Sequence, residues 1–187
     1  MEQIGAPRVL VRRSLPTEPA VRASASLFMA EAERQGVRAS RRMLYVGPEP
    51  AGDRVAAALR VAPGTDVLAR RKLLLAGEVP VRVATSFFRL DVFGGTPLCE
   101  PGFVRPSLQI GIEALGHRFG HAEEELVARP PAGDEAGTLD LAPGEWVVQI
   151  VRMSFDTAGT PIHALETICA ASRHVFTITQ VTGADEF

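Results

Sequence analysis

Residues 46–88, VGPEPAGDRVAAALRVAPGTDVLARRKLLLAGEVPVRVATSFF, are echoed later in the chain by residues 127–168, VARPPAGDEAGTLDLAPGEWVVQIVRMSFDTAGTPIHALETI. Pro50-Ala51-Gly52-Asp53 aligns with Pro131-Ala132-Gly133-Asp134, and Pro80 with Pro161, both at a spacing of 81 residues. Ala62-Pro63-Gly64 aligns with Ala142-Pro143-Gly144 at a spacing of 80. Three matches in register identify an internal duplication. The one-residue slip falls between Asp53 and Ala62, where a short helix or loop can absorb it.

Each copy has the same plan. A short strand (43–46, then 125–128) leads to a short helical piece near Asp53 or Asp134, whose carboxylates are placed to cap it. In the first copy the helix has good formers, Val55-Ala56-Ala57-Ala58-Leu59. A Pro-Gly turn stops it. Two strands rich in β-branched and aromatic residues follow, 67–75 and 81–88 in one copy, 146–155 and 162–169 in the other. The expected fold class is α+β: about six strands in an antiparallel sheet, paired as hairpins, with flanking helices. Two more helices are expected. One spans 17–35, with Val21, Ala25, Phe28, Met29 and Ala32 at helical spacing and Gly36 as its stop. The other spans 107–115, capped by Ser107. Residues 1–16 lack periodicity and read as a linker or tail, 17–181 as the domain, and 182–187 as a second tail. Trp146, after the second Pro-Gly turn, reads as a core residue at a strand start.

Composition narrows the function. A chain of 187 residues that is 46% hydrophobic can bury a core without staples. No apolar run approaches the ~20 residues of a membrane span, and the first residues lack the order of a signal peptide. A cytoplasmic location with no membrane association is therefore expected. Cys99 and Cys169 form no metal or redox motif and read as reduced thiols. The net charge of −2 argues against this chain gripping DNA by itself. His117 and His121, followed by Glu123, Glu124 and Glu125, have ligand chemistry. Gly116 and Gly120 weaken any helix that would align them, however, and no HExxH pattern exists. The segment reads as a polar loop, with no metal or other cofactor expected.

Strand alternation sorts the polar residues. Arg70, Lys72 and Leu74 share one face, as do Arg82, Ala84 and Ser86. The duplication maps Lys72 onto Arg152, Arg82 onto His163 and Ser86 onto Thr167. Two readings stay open: the solvated face of a one-sided sheet, or a covered cleft with a few polar groups in apolar surroundings.

The ordered motifs resemble a known family. FMAEAERQG (28–36), Ala62-Pro63-Gly64-Thr65 followed by LARRKLLLAGEVPV, Ser107-Leu108 and LAPGEWVVQIVRMSFDTAGTPIHALETI are similar to the UTRA domain. This is the effector-binding domain of HutC-type GntR transcription regulators, with a chorismate-lyase-like fold. The resemblance implies a non-enzymatic sensor of a small molecule, a homodimer, and control of an N-terminal winged helix-turn-helix that is absent from these 187 residues, so that DNA is reached only through it. With the strand faces above, the effector is expected over the face bearing Lys72, Arg70, Arg82, Ser86, Arg152, His163 and Thr167, beside Ser107 and Gln109 at the start of the second helix. Where sugar-phosphate-sensing members carry two strand arginines, this chain has Lys72 and Leu74. Where they carry acidic residues it has Ala84 and His163, and Gln109 stands where they have tyrosine. One cation and no acid remain of that clamp, so a phosphosugar is not expected. A less charged, more apolar metabolite suits Leu74, Ala84 and Leu165. Two other readings are a chorismate-lyase-like enzyme, which would need a proton donor for its leaving group, and a stand-alone dimerisation module.

Overall fold

A computed structural model describes residues 11–14 and 27–177. The first half comprises β1 (Val11–Ser14), α1 (Leu27–Arg34), β2 (Ala39–Pro50), α2 (Asp53–Leu59), β3 (Asp66–Ala76) and β4 (Val79–Arg89). Two short helices, α3 (Leu90–Phe93) and α4 (Leu108–Ala114), bridge to the second half. That half comprises β5 (Phe119–Arg129), α5 (Glu135–Thr138), β6 (Val147–Asp156), β7 (Pro161–Ala170) and β8 (His174–Thr177). Six antiparallel strands form one sheet in the order β2-β3-β4-β7-β6-β5, as the duplication predicts.

The two copies meet through their last strands, and the pairing register obeys the duplication. Thr85 pairs with Glu166, its own equivalent. Ala84 pairs with Thr167, and their equivalents, Leu165 and Ser86, pair with each other. Lys72 faces Ala84 while Arg152 faces Leu165; Leu74 faces Arg82 while Ser154 faces His163. Even the β-bulges match, at Leu74/Leu75 and Ser154/Phe155. A local two-fold axis thus runs through the Thr85–Glu166 pair.

The turns repeat too. Gly64 and Gly144 take φ of +80° and +84°, the left-handed region that the shared Pro-Gly turn requires. The helices before them end on equivalent left-handed residues, Arg60 and Asp140. They are closed by equivalent backbone bonds, Val61 N–H to Ala56 O and Leu141 N–H to Ala136 O. The one-residue slip sits in the helix: α2 has seven residues and α5 four. Gly137 and Thr138 occupy the second copy where the first has alanines, and both are weaker helix formers.

Helices cover both faces. On one, Val55 and Leu59 of α2 pack on Val67, Ala69, Phe87 and Val151, and Leu139 packs on Leu73, Val83, Val147 and Ile168. On the other, Phe28 of α1 covers Leu74, Val81 and Ala84, while Phe93, Leu98 and Ile112 cover Leu68 and Phe88. Every residue from Val81 to Phe88 is buried. The centre of the sheet is thus covered on both faces, while β2 and β5 at its edges stay partly exposed.

Several expectations need correction. Neither Asp53 nor Asp134 makes a side-chain capping bond. Gly52 occupies the N-cap of α2, placing Asp53 inside the first turn. At α5, Glu135 accepts from Ala132 N–H at 2.8 Å instead. Trp146 is 52% exposed and precedes β6. Residues 119–121 belong to a strand rather than a loop, and β2 and β5 are far longer than read. Both are edge strands. Their prolines, glycines and solvated charges are tolerated there but erase the apolar alternation. Within the aperiodic segment 1–16, Val11–Ser14 pairs in parallel with β8. The start of the helix expected over 17–35, and the tail 182–187, lie outside the described residues.

Candidate functional site

On β3, successive residues of one face run from Leu68, under the α3–α4 cover, through Arg70 and Lys72 to Leu74, under α1. The polar group therefore occupies the gap between two apolar lids. Across the sheet, Lys72 is followed in register by Ala84, Thr167 and Ile150. Arg70 is followed by Ser86, Leu165, Arg152 and Glu124. Lys72, Arg152 and His163 thus share one face of β3, β6 and β7, with Arg152 on the strand beside His163 and Lys72 two strands from it.

The electrostatics are one-sided. Burial, and then Arg41, Arg82 and Arg70, together push the Lys72 ammonium down to about 8. Among the described residues Lys72 has no hydrogen-bond or ion-pair partner. The Arg152 guanidinium lies 3.8 Å from the Glu124 carboxylate. Burial, then Arg152 and Lys72, hold His163 down at about 3, so its ring is neutral. That ring stacks on Phe88 with centroids 4.9 Å apart and planes 12° from parallel. Its Nε2 is buried with no hydrogen-bond partner. An ordinary buried polar atom is satisfied, so this one stands out.

Other candidate residues are committed elsewhere. The Arg70 guanidinium donates to the backbone carbonyls of Leu98, Glu100 and Gly102, the last of these with Nη2. It ties down the loop between α3 and α4. Ser107 is buried and its Oγ accepts from Ile110 N–H at 3.2 Å, the expected cap of α4. Gln109 lies along the surface of α4, donating to Glu113 at 3.1 Å. Arg82 is buried with its guanidinium 4.4 Å from the Phe28 ring centroid. Ser86 and Thr167 are buried small hydroxyls on the site's floor. His117 packs on Phe93 and His121 on Phe155, so the two histidines serve separate aromatic neighbours.

Sequence reasoning missed Arg41, Phe88 and Glu124. Arg41 reaches over Phe103 at 4.2 Å. It lies on β2 opposite Leu74, a stretch that the short strand 43–46 leaves out. Glu124 was grouped with the acidic run, although extending β5 by one residue sets it opposite Arg152.

Comparison with known proteins gives the same architecture. The UTRA domain family matches residues 34–175. An uncharacterized HTH-type transcriptional regulator of Streptomyces coelicolor is 35% identical over 122 residues, 64% of this chain. The chain spans 45% of that relative's length. PhnF from Mycobacterium smegmatis superposes with a TM-score of 0.74 at 21% identity, over 92% of this chain and 72% of that one. The isolated effector domain of PhnF gives 0.72 at 22% identity, over 92% of this chain and all of that one. A GntR-family regulator structure gives 0.76 at 23% identity, over 93% of this chain and 70% of that one. At these identities the structures establish a shared fold. Among the described residues no helix is long and apolar enough to cross a membrane. The family match covers well over half of the chain, which is therefore a member of the UTRA domain family.

Proposed function

We propose that this chain is the effector-sensing domain of a GntR/HutC-type transcription regulator acting in the cytoplasm. It binds a small anionic metabolite and thereby controls a DNA-binding winged helix-turn-helix in the part of such a regulator beyond the span matched here. The observation that carries this reading is the set Lys72, Arg152 and neutral His163, one from each of three strands, in a gap between apolar lids. The ligand is a metabolite with one carboxylate and an apolar body. Lys72 is a compact point charge, Arg152 is half-neutralised by Glu124, and Arg70 is spent on backbone carbonyls, so no bidentate fork is left for a phosphate. Leu74, Ala84 and Leu165 supply apolar surroundings.

The matches to regulator effector domains support a sensor over a lyase. The test is a thermal-shift screen of metabolites followed by calorimetry. Lys72→Ala and Arg152→Ala should each weaken the ligand found by roughly tenfold to a hundredfold, one charge-assisted contact each. A ligand that binds both variants as tightly as the parent places the site elsewhere.

The functional form is a homodimer. The long edge strands β2 and β5 leave Leu44, Tyr45 and Leu126 exposed, a liability that association relieves. Light scattering at tens of micromolar should give twice the chain mass; a monomer mass counts against it.

A further inference from the structure

His163 is the least explained residue of the site. Its ring plane is fixed by the stack on Phe88, which is itself held edge-on by Phe93 at 5.2 Å. Its cross-strand neighbour is the buried Ser154. Its Nε2 is buried and unpartnered. Lys72 and Arg152 act on the same ring. A carboxylate reaching this place is claimed by Arg152, on the strand beside His163, whose guanidinium carries five N–H donors and accepts nothing, with the charge of Lys72 adding to the attraction. An otherwise apolar ligand leaves Nε2 as it already is, buried and unpartnered, whereas a ligand that supplies a hydrogen-bond partner relieves a cost present in the free protein. A hydroxyl meets the nitrogen in either neutral tautomer, donating to a bare Nε2 or accepting from a protonated one.

We propose that the effector is a hydroxy-carboxylate, and that His163 is the residue that selects it by hydrogen-bonding its hydroxyl while Arg152, supported by the charge of Lys72, holds its carboxylate. This rests on the anion-sensing reading above and names the ligand class within it. The rigid stack makes His163 a fixed gauge: a hydroxyl at the right distance from the carboxylate is accepted, and the deoxy compound leaves a buried nitrogen unpaired. Sites built to hydrogen-bond a ligand hydroxyl discriminate against its absence far better than apolar pockets discriminate methyl groups.

The experiment is calorimetry with matched pairs of carboxylates that differ only in a hydroxyl: lactate and propionate, 3-hydroxybutyrate and butyrate, mandelate and phenylacetate, 4-hydroxybenzoate and benzoate. The parent should bind the hydroxylated member of at least one pair more than tenfold tighter than its partner. His163→Phe, which keeps the stack and removes the nitrogen, should bind both members of that pair equally. Lys72→Ala should weaken both. Nitrogen NMR of the unmodified protein supplies a readout independent of any variant, because the hydroxylated compound should shift the His163 Nε2 resonance and the deoxy compound should not. Equal binding within every pair by the parent, or a preference that survives in His163→Phe, overturns the selection role while leaving the anion site standing. Failure of every carboxylate to bind overturns both.

Discussion

Replacing Arg70 with methionine is expected to destabilise the domain by about 1.5–3 kcal/mol, the range for hydrogen bonds to a charged group. Methionine keeps most of the length and the apolar stem, so what disappears is the guanidinium. That group is buried, and it is the shared donor for the carbonyls of Leu98, Glu100 and Gly102. Without it three backbone acceptors lose their partner at once; that of buried Leu98 carries a desolvation cost of roughly 1–3 kcal/mol, while those of exposed Glu100 and half-buried Gly102 are open to water. Lysine should rescue only part of the loss, since one ammonium cannot match the planar fork across three carbonyls. Urea unfolding of the parent, Arg70→Met and Arg70→Lys measures this directly. A midpoint for Arg70→Met within about 0.5 kcal/mol of the parent, the scatter of ordinary surface changes, would show that the clamp is dispensable. The same loop leads to Phe103, which lies under Arg41, so effector affinity should fall as well although Arg70 itself is spoken for.

The second large effect is a loss of stability in mild acid that passes through His163. Its folded-state value is depressed from 6.5 to about 3 by burial and by Arg152 and Lys72. Between those limits the unfolded chain takes up a proton that the folded chain refuses. Stability is therefore full above pH 6.5 and falls as the pH drops towards 3. Going from pH 7 to pH 5 should cost about 2 kcal/mol from this residue alone. Carboxylates also titrate in acid, so the clean measurement is a difference: the stability gap between the parent and His163→Gln, taken by urea unfolding at both pH values. The gap should shift by about 2 kcal/mol in favour of the variant at pH 5. A gap that does not move with pH would mean that His163 ionises freely in the folded protein.

Much of the fold was legible because duplication leaves a signal that local propensity does not. Pro63-Gly64 and Pro143-Gly144 mark the same left-handed turn twice, and the strands after them share a face pattern that fixes the register. The edges were harder. Pro48 and Pro50 in β2, and Gly120 with three consecutive glutamates in β5, read as breaks, although an edge strand exposes one side of its backbone and tolerates them. For the site, alternation put Lys72, Arg152 and His163 on one face, since it depends only on parity along strands. It could not say where a long side chain ends. Arg70 has the same parity as Lys72 yet turns onto a loop some thirty residues away in sequence, and only the path of that loop decides this. Gln109 is set by helix geometry: four residues along from it is Glu113, and the pair closes on itself at the surface.

The register between β4 and β7 has one more consequence. Two surfaces that present the same residues to each other about a two-fold axis form an isologous contact, the arrangement by which identical subunits make a closed dimer. Here both subunits are in one chain. Because the axis passes through Thr85 and Glu166, any rotation of one half against the other moves equivalent positions together: Lys72 with Arg152, Arg82 with His163. A ligand that touched both Lys72 and Arg152 would meet the two halves at equivalent positions of one continuous sheet.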